Sequence, residues 1–584
     1  MALRVVGNQN EEMPMLSEAK DELTKFEECM TRTDDLRIRF EGDFDKLRNE
    51  SFNIPKKEGS WESFTTNRPS SDAYKVINTL ASARLKLWIP LTDEDERKRK
   101  NLSKTERFPY GAIALRDSLM GNIPEALPLQ AELSWHAPMR GWIGLLCYLY
   151  EEDDGKNGTT RPHIAVWDIL NSAWISGSNG LLWAGYKRFA SKEDIKAQYK
   201  EDVKSDSKGR VEVYDIWDTE QEGVITEGEY LEKKEHGCDH VPVLILPGGS
   251  TPFIQSGDHE DTIKNVGESI YVNNRHMFDI ESRIGSYFLT MTGRAAKTPL
   301  YFLYDSTKGG LPPDMEGNPF EKGAVVPIDV GRGQKIEQGI TSEMTRDTYA
   351  FWEYLQGRLG IGGMTPVSFG EINQALPAAG INMLRHASMD SIKPPQKLME
   401  RTYVWLAHEL VSQYKNGDFE KMEIQGMDGS NRRFKMDVKP SDIDDSWNFE
   451  ASLIADFPQD EMANMGMAVQ AVESELMSRQ TARDKYGLVD DTDQEQQILD
   501  REKAFRVAAV QLRKIARALA EDGDFEGAQY ILDEIETMQM QKKGVASQPG
   551  MPSPVRPSAD TSAAVPQPPE AGGIRKFFNR FGVG

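Results

Sequence analysis

The spacing of apolar residues divides the chain into segments of different character. From Ser17 to about Asn49, charge is dense and Leu23, Phe26, Cys29, Met30, Leu36, Ile38 and Phe40 recur within it, which predicts one or two amphipathic helices forming a solvated outer arm. Trp61 opens an extended aromatic segment that runs into Thr66-Asn67-Arg68-Pro69-Ser70-Ser71. Beyond it Ala73, Val76, Ile77, Leu80, Ala81 and Leu85 predict a capped helix from Ser71. Between Pro162 and Leu246 the period shortens. The runs 163–167, 180–184, 211–217 and 241–246, separated by Gly, Asp and Ser turns, predict a mixed domain with an antiparallel sheet.

The helical period returns from Asp261 to about Met291, with Ile263, Val266, Ile270, Met277, Ile280, Ile284 and Phe288 on one stripe and no proline. Its length is that of a pillar. Two short β runs follow, 299–304 and 324–328, joined by an excursion through Gly309, Gly310, Pro312, Pro313, Gly317 and Pro319. A second amphipathic helix is expected from Thr341 to Leu359, with Met344, Phe351, Trp352, Leu355 and Leu359 on one side, able to return antiparallel to the first. Gly360 to Gly380 reads as a long Gly- and Pro-rich loop, the best candidate for a moving part. Ile381 to about Lys415 reads as one helix bent by Pro394 and Pro395. Two or three strands are expected between Lys421 and Phe457, then helices to Gln541 with Ser478 and Asp493 as caps. Gly544 to Gly573 is too proline-rich and apolar-poor to pack, and is expected to be disordered. It leads to a basic aromatic tip, Arg575, Lys576, Phe577, Phe578 and Phe581. There is no internal repeat.

Composition narrows the function classes. The 584 residues suggest roughly two to four domains. The longest mostly apolar run, Trp142 to Tyr150, is far below the ~18 residues of a membrane span, so no membrane association is expected. The amino terminus turns polar at once, which argues against secretion. Cys29, Cys147 and Cys238 are too few and scattered for a disulfide framework and fit a reducing cytoplasm. A net charge of −23 argues against a surface that wraps nucleic acid, because phosphate affinity needs clustered Lys and Arg.

Catalytic signatures are weak. His236, Cys238 and His240 lie within five residues but cannot close a tetrahedral site alone, and a turn before the strand at Val241 accounts for them. His408-Glu409 starts like a zincin helix, yet Ser412 stands where the second His is required. Gly357-Arg-Leu-Gly360-Ile-Gly-Gly363 follows a helix rather than a strand, so a helix C-terminus explains it better than a phosphate loop. Asp490-Asp491-Thr-Asp493 lacks the glycine and terminal glutamate of a calcium loop. No nucleophile elbow or Walker lysine occurs. No enzymatic activity and no cofactor are expected.

The order of elements, sheet-bearing domain, pillar helix, small β-rich insert, returning pillar, loop, bent helix, strands and helical run, resembles the portal proteins (head-to-tail connectors) of tailed bacteriophages. Local sequences also look like that family: Thr66-Asn67-Arg68-Pro69 through Ala83, Val211-Glu-Val-Tyr-Asp-Ile-Trp217 followed by His240-Val-Pro242-Val, and Ser478-Arg-Gln-Thr481 through Tyr486-Gly487. The proline-rich tail with its Phe-Phe tip departs from the family's pattern.

The resemblance implies an α+β subunit with these parts: wing at 1–260 and 381–457, the second including the kinked helix; two-helix stem at 261–292 and 341–360; clip at 293–340; tunnel loop at 361–380; helical crown at 458–543; and disordered tail at 544–584. It implies a homo-oligomeric ring, usually a dodecamer, in the virion at one capsid vertex, assembled in the bacterial host cytoplasm with major capsid protein and scaffold. The large terminase subunit would dock on the clip during packaging, with Lys308, Asp314 and Glu316 as candidate contacts, and a head-tail adaptor would replace it. Met364, Val367, Phe369 and Asn373 of the tunnel loop would press non-specifically on double-stranded DNA, packing between neighbouring loops being the alternative. The tip lies outside the resemblance; two readings of it stay open, an anchor to scaffold or capsid during assembly and an exposed random tail. Two other classes stay open: another phage structural protein of tail or baseplate, and a metal-dependent enzyme using His236 or His240.

Overall fold

Apolar residues at helical spacing drive the segment after Leu16 onto a sheet rather than out into solvent. Helices α1 (Ala19–Arg32) and α2 (Asp34–Leu47) form there. Phe26, Cys29, Leu36 and Phe40 are buried, so the expected solvated arm is instead a core-forming layer, and only Ile38 of the named residues stands clearly exposed. Even Glu22 is buried, where it accepts a hydrogen bond from the Trp183 indole at 2.7 Å. The computed structural model describes residues 16–50, 52, 62–90, 99–153, 158–249, 251, 263, 265–296, 300–309, 325–333, 346–363, 378–429, 432–454 and 461–479, with scattered positions between 482 and 535. The chain divides into two units, 1–491 and 492–584.

Helix α3 spans Arg68–Ala81, three residues earlier than the sequence suggests, because Pro69 fits the first turn, where no amide donor is needed. Leu85 then belongs to strand β1 (Arg84–Trp88), not to the helix. Helices α4 (Arg99–Met120) and α5 (Leu129–Arg140) precede β2 (Trp142–Asp153) and β3 (Gly158–Trp167). There follow β4 (Ser172–Ser176), β5 (Leu181–Ser191), α6 (Lys192–Tyr199), β6 (Arg210–Trp217), β7 (Gln221–Thr226), β8 (Glu229–Glu235) and β9 (Val243–Pro247). Strands β3-β2-β9 make one antiparallel sheet and β4-β5-β6-β7-β8 another.

The apolar run 142–150 is continuous because β2 is central and covered on both faces. Leu145, Cys147 and Leu149 point to a core shared with α4, α5 and the 39-residue helix at Ala378–Asn416, while Leu146 faces Ala184 and Trp217 of the five-stranded sheet. The other face of that sheet carries Trp183, Ile216 and Ile225 against α1.

Helix α7 occupies Arg275–Ala296 rather than beginning at Asp261. The carbonyls of Val266 and Gly267 are taken by Trp142 Nε1 (3.0 Å) and the Arg39 guanidinium (2.7 Å), and Gly267 has φ +71°, so this stretch turns instead of extending the helix. Strands β10 (Leu300–Tyr304) and β11 (Val325–Asp329) pair in parallel. Helix α8 covers Arg346–Gly362, and Phe351, expected on its packed side, is exposed. Helix α9 runs unbroken for 39 residues from Ala378 to Asn416, through Pro394 and Pro395, and buries Leu398, Tyr403, Leu406, Leu410 and Tyr414. The helix thus takes in 378–380, and α8 takes in 361–362, from the span expected as loop.

Three strands follow as expected: β12 (Met422–Met427) and β13 (Arg433–Val438) form a hairpin, and β14 (Glu450–Ile454) pairs antiparallel with β1. Helix α10 (Glu461–Glu473) follows β14. In the second unit the described positions are helical, with Ala516 and Ile535 buried. The fold is mixed α+β, and no described helix is long and apolar enough to cross a membrane.

Candidate functional site

Helices α7 and α8 pack antiparallel. The Asn274 amide donates to the Leu359 carbonyl at 3.0 Å and Gln356 Nε2 to Glu281 at 2.7 Å, while Phe288 meets Trp352 edge-on with ring centres 5.4 Å apart. Residue numbers therefore rise along one helix as they fall along the other. Leu355 and Leu359 bury their side chains with Tyr271 and Phe278, at the end of the pair nearest α3 and α5.

An extended strap, residues 62–66, lies along the other flank of α7. The amides of Glu62, Phe64 and Thr66 donate to the hydroxyls of Thr290 (2.8 Å), Ser286 (2.8 Å) and Ser282 (3.3 Å). Alternate residues of an extended chain repeat every ~6.7 Å and four residues of helix rise about 6 Å, so the two periods nearly match. Ser286 and Thr290 give their own protons to the carbonyls four residues back, at 2.7 and 2.8 Å, which leaves a lone pair for the strap. Gly285 is needed beside them: a Cβ there would lie 2.3 Å from the Phe64 ring. The Ser282, Ser286, Thr290 series escaped sequence reading, although hydroxyls at four-residue spacing beside a glycine on an apolar helix are its signature.

The strap leads into Thr66-Asn67-Arg68-Pro69, and this motif converges on the root of the helix pair. Arg68 donates to Gln356 Oε1 at 3.0 Å, Tyr271 Oη donates to the Pro69 carbonyl at 2.9 Å, and Asp72 lies against Gly363. Burial raises the Asp72 carboxyl above its ordinary value against the pull of Arg68 and Lys75, with the nearby Glu281 adding to the rise. One oxygen of each of these two carboxylates is buried without a hydrogen-bond partner.

On the opposite side Arg275 clamps Asp43 of α2 with two contacts of 2.7 and 2.8 Å, and Ser269 Oγ donates to the same carboxylate at 2.7 Å. Lys46 reaches Asp279 at 3.0 Å. The root is thus fixed by α2, the strap and α3 together.

No protein-family model matches the chain, and no curated protein matches it.

Beyond the helix pair, β10 and β11 end in twin turns. Asp305 caps 306–308 before Gly309 (φ +84°), and Asp329 caps 330–332 before Gly333 (φ +76°). Each turn presents a cation, Lys308 at 84% side-chain exposure and Arg332 at 77%, loosely paired with its own capping Asp. Ser306 and the surrounding amides hold the Asp329 carboxyl below the usual carboxylate range. Of the candidate clip contacts only Lys308 can be placed; Asp314 and Glu316 lie outside the described residues. So do Met364, Val367, Phe369 and Asn373, and Arg575, Lys576, Phe577, Phe578 and Phe581.

The candidate metal ligands do not converge. His236 Nε2 contacts the Asp218 carbonyl, His236 Nδ1 accepts the Cys238 amide at 3.1 Å, and His240 Nε2 pairs with Glu409 at 2.9 Å. Among the described residues no group of three His, Cys, Asp or Glu is arranged to hold a metal ion. Between the two sheets a cleft opens, walled by Tyr148, Trp167, Tyr186 and Trp217. Its charged groups satisfy one another, Arg188 with Asp215 and Lys234 with Glu222, both at 2.7 Å.

Proposed function

We propose that the chain is one subunit of a portal ring at a phage capsid vertex, the channel through which double-stranded DNA is packaged and ejected. The observation that carries the reading is the antiparallel pair α7 and α8, rooted in a sheet-bearing domain, with the small β10–β11 pair inserted between them and α8 followed by the long helix α9. Read this way, α7 and α8 are the stem, 300–333 the clip, and the domain around the two sheets the wing.

The motif Thr66 to Asp72 adds support, because it gathers on the stem root. The charge fits the same reading. With −23 per copy, a channel lined by acidic and neutral groups lets a duplex slide without a deep electrostatic well. The subunit would act with major capsid protein and scaffold during assembly, with the large terminase at the clip during packaging, and with a head-tail adaptor afterwards. It carries no catalytic role in this scheme.

The test is the mass of the purified full chain in solution with negative-stain images of the same sample. Rings of about a dozen copies of the 65.8 kDa subunit, with a hole wide enough for a ~20 Å duplex, are expected. A chain that stays a monomer even with scaffold protein added overturns the reading.

A further inference from the structure

The two sheets face one another and touch at the level of Leu146, Ala184 and Val243. Further along β2 and β5, at Tyr148 and Arg188, they part around a cleft of about 370 Å³, within the size range of small-ligand sites. Side chains of facing sheets normally interdigitate across about 10 Å and fill that space. Strand register places the groups on its walls. Tyr148 lies opposite His163 on β2 and β3, Trp217 opposite Glu222 on β6 and β7, and Glu222 opposite Lys234 on β8.

Two properties of these walls select the kind of molecule that fits. The first is that the charges are already matched. Arg188 binds Asp215 at 2.7 Å, and Lys234 lies between Glu222 at 2.7 Å and Glu232 at 3.2 Å. An ionic ligand would have to separate one of these pairs and leave a partly buried charge without its partner. A neutral hydroxyl carries no such cost, because a guanidinium and a carboxylate keep protons and lone pairs beyond those that their partners use. Burial pulls His163 down to about 4 and pushes Tyr148 up to about 12, so at pH 7 both are neutral and each holds a donor and an acceptor.

The second property is the placing of the rings. Trp167 and Tyr186 stack on each other, with centres 5.1 Å apart and planes 8° apart, and Tyr148 leans against Trp217 with centres 5.3 Å apart. A flat aromatic guest finds no gap inside these pairs. Their outer surfaces suit a puckered ring that has apolar C–H faces and a polar edge.

We propose that the cleft binds a neutral sugar, with a C–H face laid on Tyr148, Tyr186 and Trp217 and its hydroxyls bonded to the Arg188–Asp215 and Glu222–Lys234 pairs. The site is formed within one subunit, so it stands or falls independently of the ring reading.

The experiment titrates the full native chain with D-glucose, D-galactose, N-acetyl-D-glucosamine and maltose in turn, following the sugar by saturation-transfer NMR and the heat by calorimetry. Saturable binding of at least one of them is expected. Glucosamine and glucose 6-phosphate, which carry a charge, are expected to bind more weakly than the best neutral sugar. Tyr199 of α6 also lines the cleft. Tyr148→Phe and Tyr199→Phe keep the rings and remove one hydroxyl each, and each is expected to weaken binding roughly tenfold. No saturable signal from any of the four sugars at tens of millimolar overturns the proposal, whatever the variants do. Tighter binding of either charged relative overturns the neutral-ligand assignment, and sugar binding that both tyrosine variants leave unchanged overturns the cleft as its site.

Discussion

The backbone amide of Phe64 donates to the side-chain hydroxyl of Ser286, 2.8 Å away and 222 residues on, and Ser286 is fully buried where it does so. This bond sits at the centre of a three-rung ladder that ties an extended strap to a helix without any β-pairing. The strap's amides have no sheet partner, so the helix hydroxyls carry the hydrogen-bonding that a neighbouring strand would otherwise supply. The consequence is that the motif following the strap enters the stem root in one register.

Replacing Ser286 with Ala is therefore expected to leave the Phe64 amide unpaired and lower stability by about 1–2 kcal/mol, read as a shift in urea midpoint. Ser286→Thr should cost less, since it keeps the hydroxyl. Gly285→Val should act more strongly, because its Cβ would collide with Phe64 and force the strap away. Limited proteolysis should then cut within 52–66 faster than in the native chain. Unchanged cleavage in Gly285→Val would show that the strap is not held by this ladder.

The Asp43–Arg275 clamp is buried at its acidic end, with Asp43 1% exposed. Removing one partner of a buried pair leaves an uncompensated charge, and Asp43→Ala should cost about 3 kcal/mol. Asp43→Asn, which keeps an acceptor for Ser269, should cost less. Equal losses in the two variants would mean that the acceptor left for Ser269 plays no part and that the lost charge accounts for the whole effect.

What the sequence made legible, and what it hid, divides along one physical line. The runs 211–217 and 299–304 and the helices at 19–47 were visible because a local period records which face is buried. The start of α7 was not: Val266 and Ile270 keep a helical spacing, yet Trp142 and Arg39, over a hundred residues away in sequence, capture the carbonyls that a helix would use. Burial of α1 and α2 was hidden for a like reason, since the surfaces they cover, the face of β5 and β6 for α1 and Trp142, Ile169 and Val266 for α2, lie over a hundred residues further on. The strap ladder depends on matching an extended period to a helical one across 222 residues, which no local window can register.

Asp72 offers a test with the opposite sign. Its carboxyl is raised by burial, so the folded state favours the protonated form; the stability from this group is present below the unfolded value and is lost as pH rises through the folded one. At neutral pH the charged side chain carries a buried oxygen without a hydrogen-bond partner, near Glu281. Asp72→Asn is expected to raise the urea midpoint at pH 7, by about 1 kcal/mol in stability, and to narrow the gap as pH falls toward about 4. A lower midpoint at pH 7 would mean that the weak contact with Arg68, 3.9 Å away, outweighs the burial.

His240 and Glu409 join the turn before β9 to the last turns of α9. Glu409 is buried and accepts from Gln413 at 2.6 Å as well as from His240, whose side chain is half exposed. The hydrogen bond to Glu409 raises the His240 value above its ordinary one, against the effect of burial. A histidine raised in the folded state stabilises fully below its unfolded value, about 6.5, and loses that contribution as pH climbs through the higher folded value. Comparing the native chain with His240→Gln, the difference in urea midpoint should be largest near pH 6 and shrink toward pH 8.5, roughly two units above the ordinary value. Gln413→Leu, by removing the competing donor, should tighten the dependence on His240 and deepen the slope. A difference that stays flat across the range, or grows with pH, would show that His240 contributes only as a neutral hydrogen-bonding group and that the charge on Glu409 is held by Gln413 and the helix alone.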